Sequence, residues 1–183
     1  IFLLIVGTLP AGIVGFLAQD FIEELFSSVS VVGIALLITG GLLWWAEGRM
    51  EGAKTMDKMR PKDALYIGVW QILALVPGIS RSGTTISAGL SRKLTREDAA
   101  KFSFLLSVPV IAGAVLLQVG DLLNAWNRGT WGPILIGTLA AALSGFAAIR
   151  GLINMVKRYS LRVFSYYTWA VGILVLILTH FLH

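Results

Sequence analysis

The stretch Val76-Pro77-Gly78-Ile79-Ser80-Arg81-Ser82-Gly83-Thr84-Thr85 gathers four hydroxyls, one guanidinium and two glycines inside an oily, almost uncharged neighbourhood. Pro77 and Gly78 stop a helix, and Ser80 is placed to cap the next one. A helix that begins near Arg81 turns its free N–H groups, and the positive end of its dipole, toward whatever lies in front of the turn. That arrangement holds an anion, and phosphate suits it best. The planar fork of Arg81 grips two phosphate oxygens in a way that lysine does not copy. Ser80, Ser82, Thr84 and Thr85 add hydroxyl donors. Gly78 and Gly83 let backbone approach a ligand closely. Gln71, six residues before Pro77, is a further candidate for the pocket wall.

Each of these residues also has a plainer role open to it. Arg81 can pin the turn by bonding carbonyls, the hydroxyls can bond carbonyls one turn back as in membrane helices, the glycines can serve packing, and Gln71 can make an interhelical hydrogen bond. A guanidinium near the bilayer centre costs on the order of 3 kcal/mol, which favours a functional Arg81. We take Arg81, Ser80, Ser82 and Thr85 as candidate catalytic residues, and Gly78, Gly83, Thr84 and Gln71 as candidate substrate-binding residues. No acid or base accompanies Arg81. The nearest carboxylates in sequence, Asp63 and Glu97, fall at the loop ends of the hairpin. General acid–base chemistry or a divalent cation would need carboxylates. His180 and His183 read as interfacial, Glu47, Glu51 and Asp57 as a solvated loop, and Pro10 and Pro109 as helix kinks.

The elements that must carry this turn belong to a membrane. The 183 residues are 56% hydrophobic and only 14% charged, against about a quarter charged in soluble domains. Zero cysteines exclude disulfides and thiolate chemistry. The net charge of +5 is no nucleic-acid footprint, because the basic residues sit in loops between apolar runs. We expect spans over Ile1 to Ala18, Val29 to Ala46 (closing on Trp44-Trp45 at interface depth), Thr95 to Val119, Trp131 to Ile149 and Leu161 to Leu182. Gln19 to Ser28 is expected as an acidic loop, and Thr95-Arg96-Glu97-Asp98 as a capping box. Because the chain starts on Ile within an apolar run, further chain is expected before it.

Residues 64–90 are expected to turn back rather than cross. With a re-entrant hairpin, the loops on one side carry twelve Lys and Arg and those on the other carry one; with a crossing, the split is six against seven. The positive-inside rule selects the hairpin. Irregular backbone at membrane depth is tolerated where protein or a wet cavity surrounds it. A repeat supports the same plan: Val6–Phe16 matches Ile136–Phe146 at six of eleven positions, and Val32-Gly33-Ile34 is echoed by Val171-Gly172-Ile173. With span one running outward and span four inward, the repeat is inverted, as in many transporters. The expectation is an all-α polytopic membrane protein with five spans and one re-entrant hairpin, forming one integral membrane domain. Residues 1–47 would end a first repeat and residues 64–183 form the second.

Pro77-Gly78-Ile79-Ser80-Arg81-Ser82-Gly83-Thr84-Thr85 resembles the second signature of the undecaprenyl-pyrophosphate phosphatase, or bacitracin-resistance, family of bacterial inner-membrane enzymes. Gly7-Thr8-Leu9-Pro10-Ala11-Gly12 and Phe102-Ser103-Phe104-Leu105-Leu106-Ser107-Val108-Pro109 are similar to further family stretches. The resemblance covers nearly the whole chain. It implies six spans and two re-entrant pairs. It implies hydrolysis of undecaprenyl diphosphate to the monophosphate carrier used in cell-wall synthesis, supported by a divalent cation (Mg or Ca). It implies that Arg81 contacts the diphosphate and that Ser80 and Thr85 take part. The lipid substrate and the bilayer are the implied partners, with a homodimer open as an assembly. The family's first signature, with its glutamates, serines and histidine, has no match here, so nucleophile or base and metal ligands are expected outside this chain. A transporter or flippase for an anionic substrate is the alternative. A purely structural membrane subunit leaves a buried Arg among hydroxyls unexplained.

Overall fold

The computed structural model describes residues 1–48, 52–120, 123 and 131–182. Arg49, Glu51, Arg128 and His183, used in the reading above, lie outside the described residues. Helix α1 (Phe2–Leu17) is followed by α2 (Gln19–Phe26) and α3 (Val29–Glu47). A 3-10 turn at Met56–Lys58 leads into the hairpin arms α4 (Pro61–Leu73) and α5 (Arg81–Ser91). Then come α6 (Arg96–Leu117), α7 (Trp131–Arg158) and α8 (Arg162–Leu182). Among the described residues the chain is all helical apart from turns and one isolated bridge.

Helices α3, α6, α7 and α8 are each long and apolar enough to cross a membrane. Helix α1 has 16 residues, about 24 Å, and it joins α2 at an 80° bend; taken as one bent span, the pair makes a fifth. The acidic loop expected over Gln19–Ser28 is therefore a helix. Its Phe21 and Phe26 are exposed beside Asp20, Glu23 and Glu24. Apolar and charged residues on one short helix suit a position along the membrane surface, which loop composition alone did not distinguish.

Arms α4 and α5 are short, 13 and 11 residues, about 20 and 16 Å. They fold back on one another. The Lys54 amide donates to the Lys93 carbonyl at 3.0 Å and the Thr95 amide to the Lys54 carbonyl at 3.0 Å, so the chain enters and leaves the hairpin at one mouth. Around this hairpin the core forms, with Leu43, Ile67, Ile86, Leu90, Phe102 and Leu106 buried together. Residues Gly83 to Leu90 of α5 are all buried. Helix α1 lies against α4 with no space for a Cβ at Gly68, whose Cα faces the Gly7 carbonyl. Helices α3 and α8 cross as closely at Gly33 and Gly172. These are equivalent positions of the sequence repeat. Trp45 stacks on Trp70, with ring centroids 5.5 Å apart, and Trp44 meets Tyr166 and Trp169. Both tryptophans thus pack between helices.

Candidate functional site

The turn between α4 and α5 is shaped by Gly78 and held by Thr39. Gly78 has φ +92°, and a Cβ there would lie 2.7 Å from the Val32 carbonyl oxygen. Only glycine fits this backbone against α3. From α3 the buried Thr39 hydroxyl donates to the Gly78 carbonyl at 3.3 Å and accepts the Ser80 amide at 3.1 Å. One side chain thereby satisfies two backbone groups of an irregular segment. Thr39 had no role in the sequence reading; its only signal was a polar residue inside an apolar span.

Ser80 caps α5 as its position predicts. Its Oγ accepts the Gly83 amide at 3.1 Å and lies 3.4 Å from Ser82 Oγ. The Thr84 amide donates to the Ser80 carbonyl at 2.8 Å. The amides of Arg81 and Ser82 have no partner among the described residues. They are the orphan donors of the helix start. Arg81 is half-buried and gives one bond, Nη1 to the Ser103 carbonyl at 3.2 Å. Among the described residues it has no ion pair. A guanidinium carries five donors, and this one is tied down by a single bond and paired with no carboxylate among the described residues. Among the described residues Ser82 Oγ has one hydrogen-bond neighbour, Ser80 Oγ at 3.4 Å.

Thr84 and Thr85 are placed differently. Thr84 Oγ1 donates to the Ser80 carbonyl at 2.8 Å, and Thr85 Oγ1 to the Arg81 carbonyl at 2.8 Å. Both are buried and bond one turn back, the plainer of their two roles. Thr85 also meets Ser103 Oγ at 2.7 Å. Ser103 therefore braces Arg81 through its carbonyl and Thr85 through its hydroxyl. Gly83 faces Ser80, with room for a Cβ only at 3.1 Å. Gln71 is 2% exposed, and neither amide atom has a hydrogen-bond partner among the described residues. The interhelical bond that its sequence position allowed is not made.

The carboxylates nearest the hairpin are committed to cations. Asp63, 1% exposed, takes Lys54 Nζ at 2.6 Å, Arg92 Nε at 2.8 Å and the Arg60 amide at 2.9 Å. Glu47 takes Arg96 Nη2 at 2.8 Å and the Leu161 amide at 2.9 Å. It is a tie between helices rather than part of a solvated loop. Glu97 pairs with Lys101 and Lys157 at 2.7 and 2.8 Å. Among the described residues no three His, Asp or Glu side chains converge on a point where a metal ion would sit. These residues do not fit a divalent cation. His180 stands edge-on to Phe181 in the last turns of α8.

The turn, wrapped by α3 and α6, thus gathers two helix-start amides without partners and a guanidinium without a counterion among the described residues, beside the Ser80 and Ser82 hydroxyls, a set of donors whose chemistry suits an anion. The family model described as bacitracin resistance protein BacA matches residues 1–174. The chain is 48% identical over 177 residues to an undecaprenyl-diphosphatase of Halothermothrix orenii, covering 96% of this chain and 68% of that protein. It is 46% identical to an undecaprenyl-diphosphatase of Methanothermobacter thermautotrophicus, covering 95% of this chain and 97% of that one. Undecaprenyl-diphosphatase 3 of Bacillus cereus is also 46% identical, over 96% of this chain and 68% of its own length. A family match over residues 1–174, almost the whole length, makes this chain a member of the BacA bacitracin resistance family.

Proposed function

We propose that this multi-pass membrane protein hydrolyses undecaprenyl diphosphate to the monophosphate carrier lipid of cell-wall synthesis, and so confers bacitracin resistance. Its setting is the bacterial plasma membrane, with the basic loops on the cytoplasmic side. The observation that carries the reading is the unpaired Arg81 at the free amino end of α5. The diphosphate binds there through the Arg81 fork, the Arg81 and Ser82 amides and the Ser80 and Ser82 hydroxyls. Water attacks the terminal phosphorus, the bridging P–O bond breaks, and its electron pair leaves with the prenyl monophosphate. Negative charge grows on that leaving group, where a fixed cation and preorganised amides stabilise it best. Thr84, Thr85 and Gly78 serve by holding the turn in shape, and Gln71 offers its open amide to the pocket wall.

The names of the relatives support the substrate, and the lack of a counterion for Arg81 among the described residues supports its role. The test is phosphate release from undecaprenyl diphosphate by the purified full-length protein, run beside a proteoliposome assay for movement of the lipid between leaflets. Release of one phosphate per lipid is the expected result. Lipid movement without phosphate release would select the transporter reading instead.

A further inference from the structure

We propose that Asp63 is a positioning residue: its carboxylate locks the mouth of the hairpin so that the far end of α5, with Arg81, stays in register with the bound diphosphate. The proposal rests on the diphosphate reading of the turn. Asp63 bonds three segments at the mouth of the hairpin at once. It takes Lys54 from the incoming loop, the Arg60 amide at the start of α4, and Arg92 just past the end of α5. The Arg92 guanidinium also lies over the Tyr66 ring of α4, 5.4 Å from its centroid. The backbone bridge between Lys54 and Leu94 closes the same mouth. A carboxylate that is 1% exposed and neutralises two cations is costly to disturb, because breaking one partner leaves buried charge uncompensated.

The lever runs from this mouth to the site. Helix α5 has 11 residues, so its first turn stands about 16 Å from Arg92. A rotation of about 5° about the mouth moves that first turn by about 1.4 Å over this length. Displacements near 1 Å at a reacting centre cost up to about a hundredfold in rate. The turn has its own tie to α3 through Thr39, which fixes where Gly78 and Ser80 sit. The mouth fixes the direction of the α5 axis, and with it the direction of the two free amides.

The test is a double-mutant cycle in the full-length protein between Asp63→Asn and Arg81→Ala, read as kcat and KM for phosphate release per folded molecule. Asp63→Asn alone should lower kcat by about ten- to a hundredfold and leave KM within about threefold, since the charge that attracts the substrate is untouched. In the Arg81→Ala background the same change should cost less than about threefold, because the residue it positions is gone. Asp63→Glu, which keeps the charge, should recover part of the rate. Equal losses in both backgrounds, an unchanged kcat, or a loss explained by the folded fraction would overturn the proposal. If Arg81→Ala itself keeps wild-type activity, the diphosphate reading fails instead, and the cycle separates the two.

Discussion

Arg81 offers the sharpest perturbation. Of its five donors one is spent among the described residues, on the Ser103 carbonyl at 3.2 Å, which leaves the rest of the fork for phosphate oxygens in the proposed complex. Arg81→Lys keeps a positive charge but replaces two parallel donors with one point charge. The expected loss in kcat/KM is at least about tenfold, or about 1.4 kcal/mol of transition-state stabilisation. Arg81→Ala removes charge and donors together, and a loss of about a hundredfold to a thousandfold is expected, the range for one preorganised donor. Ser82→Ala should cost less than either, because the Arg81 and Ser82 amides stay in place. Folding should survive all three. The bond to Ser103 is lost in Arg81→Ala, but so is the cost of burying a cation, and Ser103 keeps Thr85 as a partner at 2.7 Å. The assay is steady-state phosphate release from a polyprenyl diphosphate in detergent, with thermal unfolding followed on the same samples. Near-wild-type turnover in Arg81→Ala, or loss of activity only in step with loss of fold, would return this arginine to pinning the turn.

Further outcomes follow from the same geometry. Burial pushes the Asp63 carboxyl up, yet Lys54, the Arg60 amide and Arg92 together outweigh burial and hold it below its ordinary value of 3.8. The stability this contributes is complete above pH 3.8 and is lost as pH falls through the depressed value; melting at pH 7 and pH 3 should show that drop in the wild type and a smaller one in Asp63→Asn. Gly78→Ala forces a Cβ to 2.7 Å from the Val32 oxygen at φ +92°, so it should lower thermal stability by more than about 1 kcal/mol and reduce activity with it. Single cysteines at Lys58 and Lys93 should label from the same face of the membrane; labelling from opposite faces would break the hairpin reading.

Local chemistry was legible and distant partnerships were not. Pro77-Gly78, the Ser80 cap and the helix from Arg81 could be read because each acts within four residues of itself. The hairpin could be read because its arms are too short to cross and its flanks are basic. The direction of Thr84 and Thr85 was not fixed by sequence, since a hydroxyl in a helix start can face forward or back. Asp63 and Glu47 passed as loop-end acids because their partners lie far along the chain, Arg92 29 positions from Asp63 and Arg96 49 from Glu47. Thr39 and Ser103 were hidden for the same reason: each matters only through a turn that another part of the chain brings to it. Helix α2 was missed because eight residues with three acids carry no span-length apolar signal.

The Glu47–Arg96 pair has a consequence for how the protein is made. Arg96 also donates to the Val156 and Tyr159 carbonyls at 3.3 and 2.8 Å, and Glu47 waits for the Leu161 amide, 114 positions further on. During synthesis at about 5–20 residues per second, Glu47 emerges several seconds before that last partner exists. Helices α3 and α6 must therefore enter the membrane with this polar joint half made. Only when the elbow between α7 and α8 arrives does the joint close, which makes the α7–α8 pair a latch on an assembly whose hairpin is already in place. A chain that stopped before Leu161 would contain the whole turn but leave the Glu47 carboxylate without the Leu161 amide.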